Sequence, residues 1–203
     1  MVKIDYKKEF GGYKAKKNQV AIIEIPKMSF LMIDGDKGPG NPDFQLAVEA
    51  LFGLSYTLKF MIKKGPQAID YGVMPLEGLW WSDDMESFIA GEKSKWKWTA
   101  MIMQPLLVTD DLMQEARALF QKKKGTRLLD NMRFESFDEG MCAQVLHIGP
   151  FENEGPVIQQ MHKEIEKVGR LRDKHHEIYL SDIRRAAPEK WKTILRQPVT
   201  LNT

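Results

Sequence analysis

Two glutamates lie in short apolar runs of this sequence that also carry aromatic side chains. Glu77 begins the run EGLWW, and Glu177 begins the run EIYLS. A glutamate inside an apolar strand is costly unless it is paired or functional, so a raised pKa and an acid or base role are natural there. Neighbouring aromatic rings supply stacking area and an electronegative face. The combination is suited to a flat or cationic small molecule.

Side chains alternate along a strand, and this alternation sorts the candidate residues by face. Glu77 and Trp81 share one face of the first run, whereas Trp80 points to the other. Glu177 and Tyr179 share a face of the second run. Each run therefore places a carboxylate beside an aromatic ring.

The chain carries one unit twice, most clearly at residues 98–105 (WTAMIMQP) and 191–198 (WKTILRQP). The two tryptophans, Trp98 and Trp191, either fill the core or line a ligand site. Each unit begins with a β-rich run that ends at Gly-Pro, and an amphipathic helix precedes each glutamate. The unit therefore reads strand, helix, strand, strand.

Two such units that pair about an approximate two-fold axis would place equivalent residues on opposite walls of one cleft. The repeat makes Glu77 and Glu177 equivalent, so both are expected to face this cleft and either is a candidate base. No linker rich in Gly and Ser separates the units. We expect one domain over residues 1–203, with module one at about 20–107, a connecting helix at about 109–124 and module two at about 131–203.

Local patterns predict the remaining elements. Asn41 and Pro42 open the first helix, and a second helix is expected over about residues 154–172. Residues 133–137 and 141–148 indicate a hairpin.

Two segments have open interpretations. The acidic loop at residues 82–94 is either a surface insertion or a lid over the cleft. The lysines between Lys7 and Lys17 indicate a solvated, partly mobile tail.

Bulk composition excludes several classes of protein. The 203 residues are 43% hydrophobic, which supports a globular fold. Thirty basic against 28 acidic side chains give a net charge of +2, so direct nucleic-acid binding is not expected. One cysteine, Cys142, precludes an internal disulfide and is expected to pack as a small hydrophobe. With no signal peptide and no membrane-spanning run, we expect a cytoplasmic protein without a membrane partner.

The sequence offers no support for a metal site or a cofactor. None of the four histidines has a histidine partner at metal-binding spacing, and HExxH and CxxC are absent. The GxSxG, P-loop and GxGxxG motifs are absent as well. His147 lies in an apolar strand, where a core histidine is the commoner outcome.

Several of these segments together resemble the GyrI-like small-molecule-binding family, and in particular its stand-alone branch. They are residues 74–81 (MPLEGLWW), 30–35 (FLMIDG), the helix at 44–63 and 147–151 (HIGPF). The resemblance covers nearly the whole chain. It implies an α+β fold of duplicated βαββ modules with pseudo-two-fold symmetry, an antiparallel sheet with helices on one side, and a ligand cleft between the modules. The cleft would bind an aromatic or cationic small molecule.

Some stand-alone members of this family hydrolyse the strained cyclopropane of DNA-alkylating natural products of the yatakemycin type. Carried onto this sequence, the resemblance implies an aromatic cage from Trp81, Trp98 and Tyr179, with Glu177 or Glu77 orienting or deprotonating a water. Tyr179 or His147 would donate to the oxygen that becomes a phenolate. The remaining candidates for ligand contact are Trp80, Phe151 and Trp191.

Three function classes stay open on the sequence. The protein is a cyclopropane hydrolase, a non-catalytic binder of several aromatic cations, or, with less support, a protein that interacts with gyrase. Turnover separates the first class from the second.

Overall fold

The structure, a computed structural model, describes residues 2–84, 92–124, 129 and 131–202. The strands in this part are β1 (Val2–Ile4), β2 (Ala21–Ile25), β3 (Met28–Asp36), β4 (Ile69–Tyr71), β5 (Leu76–Trp81), β6 (Lys97–Gln104), β7 (Arg133–Phe137), β8 (Gly140–Ile148), β9 (Gly169–Leu171), β10 (His175–Tyr179) and β11 (Lys192–Leu201). The α-helices are α1 (Tyr6–Glu9), α2 (Pro42–Lys64), α3 (Asp110–Lys124) and α4 (Gly155–Val168). Most of the loop that was considered as a lid, residues 85–91, lies outside the described residues.

The ends of the two module helices follow local chemistry. Asn41 caps α2, since its side chain accepts a 3.1 Å hydrogen bond from the Asp43 backbone nitrogen. The second module helix, α4, is shorter than the expected 154–172. It ends at Gly169, where the chain turns into β9 and pairs with β11. A Cβ at this glycine would lie 2.2 Å from the Thr200 carbonyl oxygen, so the close strand approach requires a glycine.

One antiparallel sheet contains both halves of the chain. Its strand order is β2-β8-β11-β10-β5-β6-β3-β7, and β9 pairs with β11 outside this path. The order is symmetrical about the central β10–β5 pair, with β3 matching β8, β5 matching β10 and β6 matching β11. The α+β fold of duplicated βαββ modules is thereby confirmed.

The edge strands are exchanged between the halves. β2 leads into β3 but pairs with β8, and β7 leads into β8 but pairs with β3. The expected hairpin of residues 133–137 with 141–148 is therefore wrong. β7 lies at one end of the strand order, because it pairs with β3 of the first half, whereas β8 lies next to the other end, between β2 and β11.

This exchange forces the sheet to curve. Only Pro26 and Lys27 separate β2 from β3, and only Asp138 and Glu139 separate β7 from β8. Three residue steps span at most about 11 Å, whereas the six strand spacings between these strands would cover roughly 29 Å in a flat sheet. The sheet must therefore curve strongly enough for each two-residue link to reach from one half of the sheet to the other.

Both long module helices pack on one face of the sheet, which we call the helix face. Phe44 of α2 contacts Trp80 with a ring-centroid distance of 5.3 Å. Ile165 of α4 packs in one cluster with Leu195. The strand register puts Trp80 and Leu195 on the same face, so both helices lie on that face of the sheet.

The other face, which we call the inner face, is covered by the N-terminal segment. Tyr13 is buried and donates a 2.6 Å hydrogen bond to Glu77, and the Gly12 carbonyl accepts a 2.6 Å bond from Arg196. The nearby Lys14 side chain is exposed, but its backbone is held in this segment. The lysine side chains are solvated as expected, but the segment is not a free tail, because its backbone and Tyr13 dock onto the sheet.

The register of the central pair separates the two glutamates. Glu77 lies opposite Ile178, and Glu177 lies opposite Gly78. Directly opposed residues of an antiparallel pair point to the same face, so neighbouring positions alternate. Glu77 therefore points to the inner face and Glu177 to the helix face. The expectation that both line one cleft is wrong.

The two glutamates are not equivalent, because the two repeat units align with a shift of one residue at this strand. Three residues beyond the repeated tryptophans lie Met101 and Ile194, which are opposite Glu77 and Ile178, respectively. Glu77 is thus equivalent to Ile178 rather than to Glu177. A shift of one residue exchanges the faces of a strand.

In the described residues, no helix combines the length and the apolar character that a membrane crossing needs.

Candidate functional site

Polar side chains gather on the helix face around the central strand pair. We call this cluster the helix-face site and define it by Glu177, Tyr179, His175, Trp80 and Glu154. β10 supplies three of these residues because alternate positions along a strand share a face. Trp80 comes from β5 of module one, and Glu154 from the start of α4. Both modules therefore contribute to the site.

Tyr179 connects the two modules through its hydroxyl. The hydroxyl donates a 2.7 Å hydrogen bond to Glu177 Oε2 and accepts a 3.0 Å bond from Trp80 Nε1. Burial, followed by the adjacent Glu177 carboxylate, raises the pKa of Tyr179 well above its usual value, so the phenol keeps its proton. Tyr179 thus holds Glu177 in one orientation, while 13% of the Glu177 side chain remains exposed.

Glu154 is a buried carboxyl group beside Glu177. It is 4% exposed, and burial followed by the negative charge of Glu177 raises its pKa to about 9. Its position at the N-terminus of α4 would favour the charged form by at most about 2 kcal/mol, so burial outweighs the helix dipole. Glu154 is therefore protonated at neutral pH.

Histidines extend the site along the helix face. His175 Nε2 lies 3.5 Å from Glu177 Oε1, and His175 is 8% exposed. Burial, with His175 nearby, lowers the pKa of His162 on α4. Both ring nitrogens of His175 and Oε1 of Glu154 are buried without a hydrogen-bond partner among the described residues. Such unsatisfied buried groups are uncommon in folded proteins and concentrate here.

Aromatic rings from the second module form one wall of the site. Phe151 contacts the Tyr179 ring at 5.7 Å and the Trp191 ring at 4.9 Å between centroids. Phe151 and Trp191 are half-buried, and Trp191 Nε1 donates a 2.8 Å hydrogen bond to the Ala186 carbonyl. These rings are positioned to stack on a flat ligand next to Glu177.

The first module has an equivalent but fully buried pair. Trp98 is 1% exposed, contacts Phe44 at 5.0 Å and donates a 3.0 Å hydrogen bond to the Asp36 carbonyl. Trp98 therefore fills the core of module one, whereas its repeat partner Trp191 remains partly accessible.

Trp81 does not reach the helix-face site. It lies on the same face as Glu77, and the Lys174 ammonium sits 3.3 Å from the centre of its ring. The aromatic cage expected from Trp81, Trp98 and Tyr179 is thus not assembled. Trp81 points to the inner face, and Trp98 is enclosed in the core.

His147 shares the helix face with Tyr179, through the pairing of both with Thr193. Its Nε2 lies 3.1 Å from the Pro150 carbonyl oxygen, and the side chain is 5% exposed. This contact fixes the turn that precedes Phe151. The structure therefore favours a structural histidine over a proton donor.

Glu77 belongs to a separate network on the inner face. His176 lies between two carboxylates, with Nδ1 2.8 Å from Glu139 and Nε2 3.0 Å from Glu77. Arg196 donates a 2.8 Å hydrogen bond to Glu139, and the Tyr13 hydroxyl donates a 2.6 Å hydrogen bond to Glu77. Two carboxylates thus face one guanidinium and one imidazole, which balances the charges when His176 is protonated.

The pKa values in this network follow from that pairing. Burial would lower the pKa of His176, but Glu139 and Glu77 together raise it. Burial would raise the pKa of Glu139, yet His176 and Arg196 lower it to about 2. Because Glu139 lies in the link between β7 and β8, its bonds to Arg196 and His176 tie this link to β11 and β10. Glu77 belongs to the same buried network, so its role is to stabilise the fold.

Two cavities of the described residues lie away from Glu177. One, of about 200 Å³, separates Phe10 and Tyr13 from β2. The other is an open groove of about 460 Å³ outside α2 and α3, beside Tyr56 and Phe60. Neither contains a buried titratable side chain that is free to react. The polar groups and the unsatisfied buried atoms therefore favour the helix-face site as the place of chemistry.

Sequence reasoning missed Glu154 and gave no weight to His175. Glu154 follows the HIGPF segment and precedes the helical Gly155, which is the usual position of a solvated cap residue. The repeat offered no clue, because the residues that act on Glu154 include Glu177 of β10 and Thr193 of β11, which are distant in sequence. Among the described residues, no group of three or more potential ligand side chains is arranged to hold a metal ion.

Comparisons with known proteins point in one direction. Residues 18–200 match the GyrI-like small molecule binding domain. An uncharacterized conserved protein from Listeria innocua is 38% identical, with a TM-score of 0.85 over 97% of this chain and 100% of that one. A hydrolase from Listeria innocua is also 38% identical, with a TM-score of 0.82 over the same shares.

A more distant structure shares the fold. The EcmrR C-terminal domain is 15% identical, with a TM-score of 0.55 over 91% of this chain and 98% of that one. No curated protein matches the sequence.

Proposed function

We propose a function for this chain from its membership of the GyrI-like small-molecule-binding family, to which it belongs. The chain binds hydrophobic aromatic molecules at the helix-face site. It also hydrolyses strained cyclopropanes of the yatakemycin type. The observation that carries the proposal is the Tyr179–Glu177 hydrogen bond of 2.7 Å beside the half-buried ring of Phe151. The oriented carboxylate can position a water and accept its proton, and the aromatic ring can stack against a flat electrophile. The hydrolase from Listeria innocua, 38% identical over 97% of this chain, supports a hydrolytic activity.

The reaction adds one water to the substrate. Glu177 accepts a proton from water while the water oxygen attacks the cyclopropane carbon. The strained carbon–carbon bond breaks, and its electron pair moves through the conjugated ring to the carbonyl oxygen, which becomes a phenol after taking up one proton. Ring strain makes the substrate reactive, so the protein's task is to position it and the water.

The ligand binds by stacking in place of existing ring contacts. Phe151 and Trp191 are half-buried and lie beside Glu177 and Tyr179, so we propose that they move apart to admit the flat ligand. Trp80 stays in place, since it is 2% exposed and hydrogen-bonded to Tyr179.

Incubation of a yatakemycin-type cyclopropanoid with the protein in ¹⁸O-labelled water tests the proposal. The expected product has gained one labelled water in the presence of wild-type protein and not with Glu177→Gln. Glu135→Gln, an exposed carboxylate far from the site, serves as the matched control and should behave as wild type. Unchanged ligand with the wild-type protein would refute hydrolysis.

If the ligand is returned unchanged, tryptophan fluorescence tests the alternative function, binding without catalysis. Ligand that quenches fluorescence but is returned unchanged would indicate a non-catalytic binder of aromatic molecules. The half-buried Trp191 near Phe151 is the expected reporter. A Trp191→Phe variant should then lose most of the quenching.

A further inference from the structure

We propose that Glu154 is the general acid of the helix-face site and gives its proton to the substrate's carbonyl oxygen while Glu177 takes the proton of the water. This inference rests on the hydrolysis proposed above. It assigns different roles to two carboxyl groups that interact electrostatically, Glu177 on β10 and Glu154 at the start of α4.

The side chain of Glu154 takes no part in capping α4, and its polar neighbour is Thr193 of β11. The backbone carbonyl of Glu154 accepts the first hydrogen bonds of α4, from the nitrogens of Val157 at 2.9 Å and Ile158 at 3.0 Å. With 4% exposure, its Oε1 finds no hydrogen-bond partner in the described residues. A buried carboxyl oxygen in this state is free to bond a ligand atom.

The surroundings keep a proton on this group at neutral pH. The groups that act on it are Glu177 of β10, Thr193 of β11, Lys93 before β6 and Glu152 in its own turn. Burial is the strongest influence, followed by the charge of Glu177, and together they outweigh Thr193 and Lys93, which favour the charged form. A carboxyl group that burial keeps protonated at neutral pH is suited to act as a general acid.

The proton balance closes over one cycle. The water gives one proton to Glu177 and its hydroxyl to the ring carbon, and the opened ring takes the proton of Glu154 at oxygen. Glu177 then holds a proton and Glu154 is charged. Return of that proton from Glu177 to Glu154 through water restores both groups. No oxidant, metal or further reactant is required.

The test compares Glu154→Gln with the neighbouring control Glu152→Gln. Gln keeps the shape and the neutral charge of the protonated acid but donates no acidic proton, so we expect kcat to fall about 100-fold or more with little change in ligand affinity. Glu152 is exposed and its variant should remain within about twofold of wild type. Glu154→Asp restores an acid and should recover part of the lost rate.

The pH profile supplies the readout that a structural role would not move. In wild type, kcat should fall above about pH 9, where Glu154 loses its proton, and this alkaline limb should be absent in Glu154→Gln. Infrared spectra should show a protonated carboxyl band at pH 7 that Glu154→Gln removes.

The two proposals fail in different ways. Wild-type protein without turnover overturns the hydrolysis and the acid together. Wild-type turnover with an unchanged kcat in a folded Glu154→Gln variant, or a wild-type spectrum without the band, overturns only the role of Glu154.

Discussion

Tyr179 and Glu177, two residues apart on β10, are joined by a 2.7 Å hydrogen bond in which the phenol donates to the carboxylate. The same phenol accepts a bond from Trp80 of module one. The carboxylate that we propose as the base is therefore held at the seam of the two modules, on the face that carries the helices.

Removal of the Tyr179 hydroxyl should loosen this base. In Tyr179→Phe, Glu177 loses its donor and Trp80 its acceptor, so we expect kcat to fall about 10- to 100-fold with a smaller change in KM. Steady-state kinetics with the cyclopropanoid measure both. Tyr56→Phe, on an exposed helix position, is the control and should leave kcat unchanged. Equal kcat values for both variants would contradict a positioning role for Tyr179.

The absence of a side chain at Gly78 leaves room for the hydrogen bond between Trp80 Nε1 and the Tyr179 hydroxyl. A Cβ at Gly78 would lie 2.7 Å from Trp80 Nε1 and 3.1 Å from the Tyr179 hydroxyl. Gly78→Ala should therefore push the two side chains apart and lower the free energy of unfolding by about 1–3 kcal/mol. Urea unfolding measures this change. Gly72→Ala, where no atom lies within 4 Å of the added carbon, should have a much smaller effect.

The inner-face network should control acid stability. Glu139 has a pKa of about 2 in the folded protein against 4.5 as its ordinary value. Its contribution is therefore complete above pH 4.5 and is lost as the pH falls toward 2. Removal of this charge leaves the buried Arg196 guanidinium without its carboxylate partner and His176 with Glu77 alone, so Glu139→Gln should lower the free energy of unfolding at pH 7 by about 3–5 kcal/mol.

The control for Glu139 is the exposed Glu135. Glu135→Gln should change the free energy of unfolding by less than about 0.5 kcal/mol. Urea titrations between pH 2 and 7 should also show a flatter acid limb for Glu139→Gln than for wild type. Identical acid limbs in all three proteins would contradict the assigned pairing.

The ionisation of Glu154 destabilises the fold, whereas the ionisation of Glu139 stabilises it. The pKa of Glu154 is about 9 in the folded protein and 4.5 ordinarily, so the folded state binds the extra proton between these values. Stability should therefore decline as the pH rises from 4.5 to 9. Glu154→Gln removes this slope and should raise the free energy of unfolding at pH 7 by up to about 3 kcal/mol. A stability that is lower than wild type at pH 7 would contradict a protonated Glu154.

Much of the fold was predictable because it depends on local patterns and on the repeat. The helix that begins at Asn41 and the order strand, helix, strand, strand follow from capping chemistry and periodicity. The exchange of β2 and β7 was not predictable, since a two-residue link is equally compatible with a hairpin. Only the tertiary pairing decides between them.

The site was predictable in part. Alternation placed Glu177 and Tyr179 together correctly, because that relationship lies within one strand. The relation of Glu77 to Glu177 required the register between two strands, where an error of one residue changes the face. Glu154 could not be recognised, since its raised pKa comes from burial against another element.

The most direct test compares Glu177→Gln and Glu77→Gln in two assays, hydrolysis of the cyclopropanoid and urea unfolding. Glu177→Gln should lose turnover by at least about 100-fold and keep near wild-type stability. Glu77→Gln, which removes a charge from the buried pair with His176, should lose about 3–5 kcal/mol of stability while its folded fraction retains turnover. Loss of turnover in folded Glu77→Gln, with full activity in Glu177→Gln, would contradict the assignment of the site to the helix face.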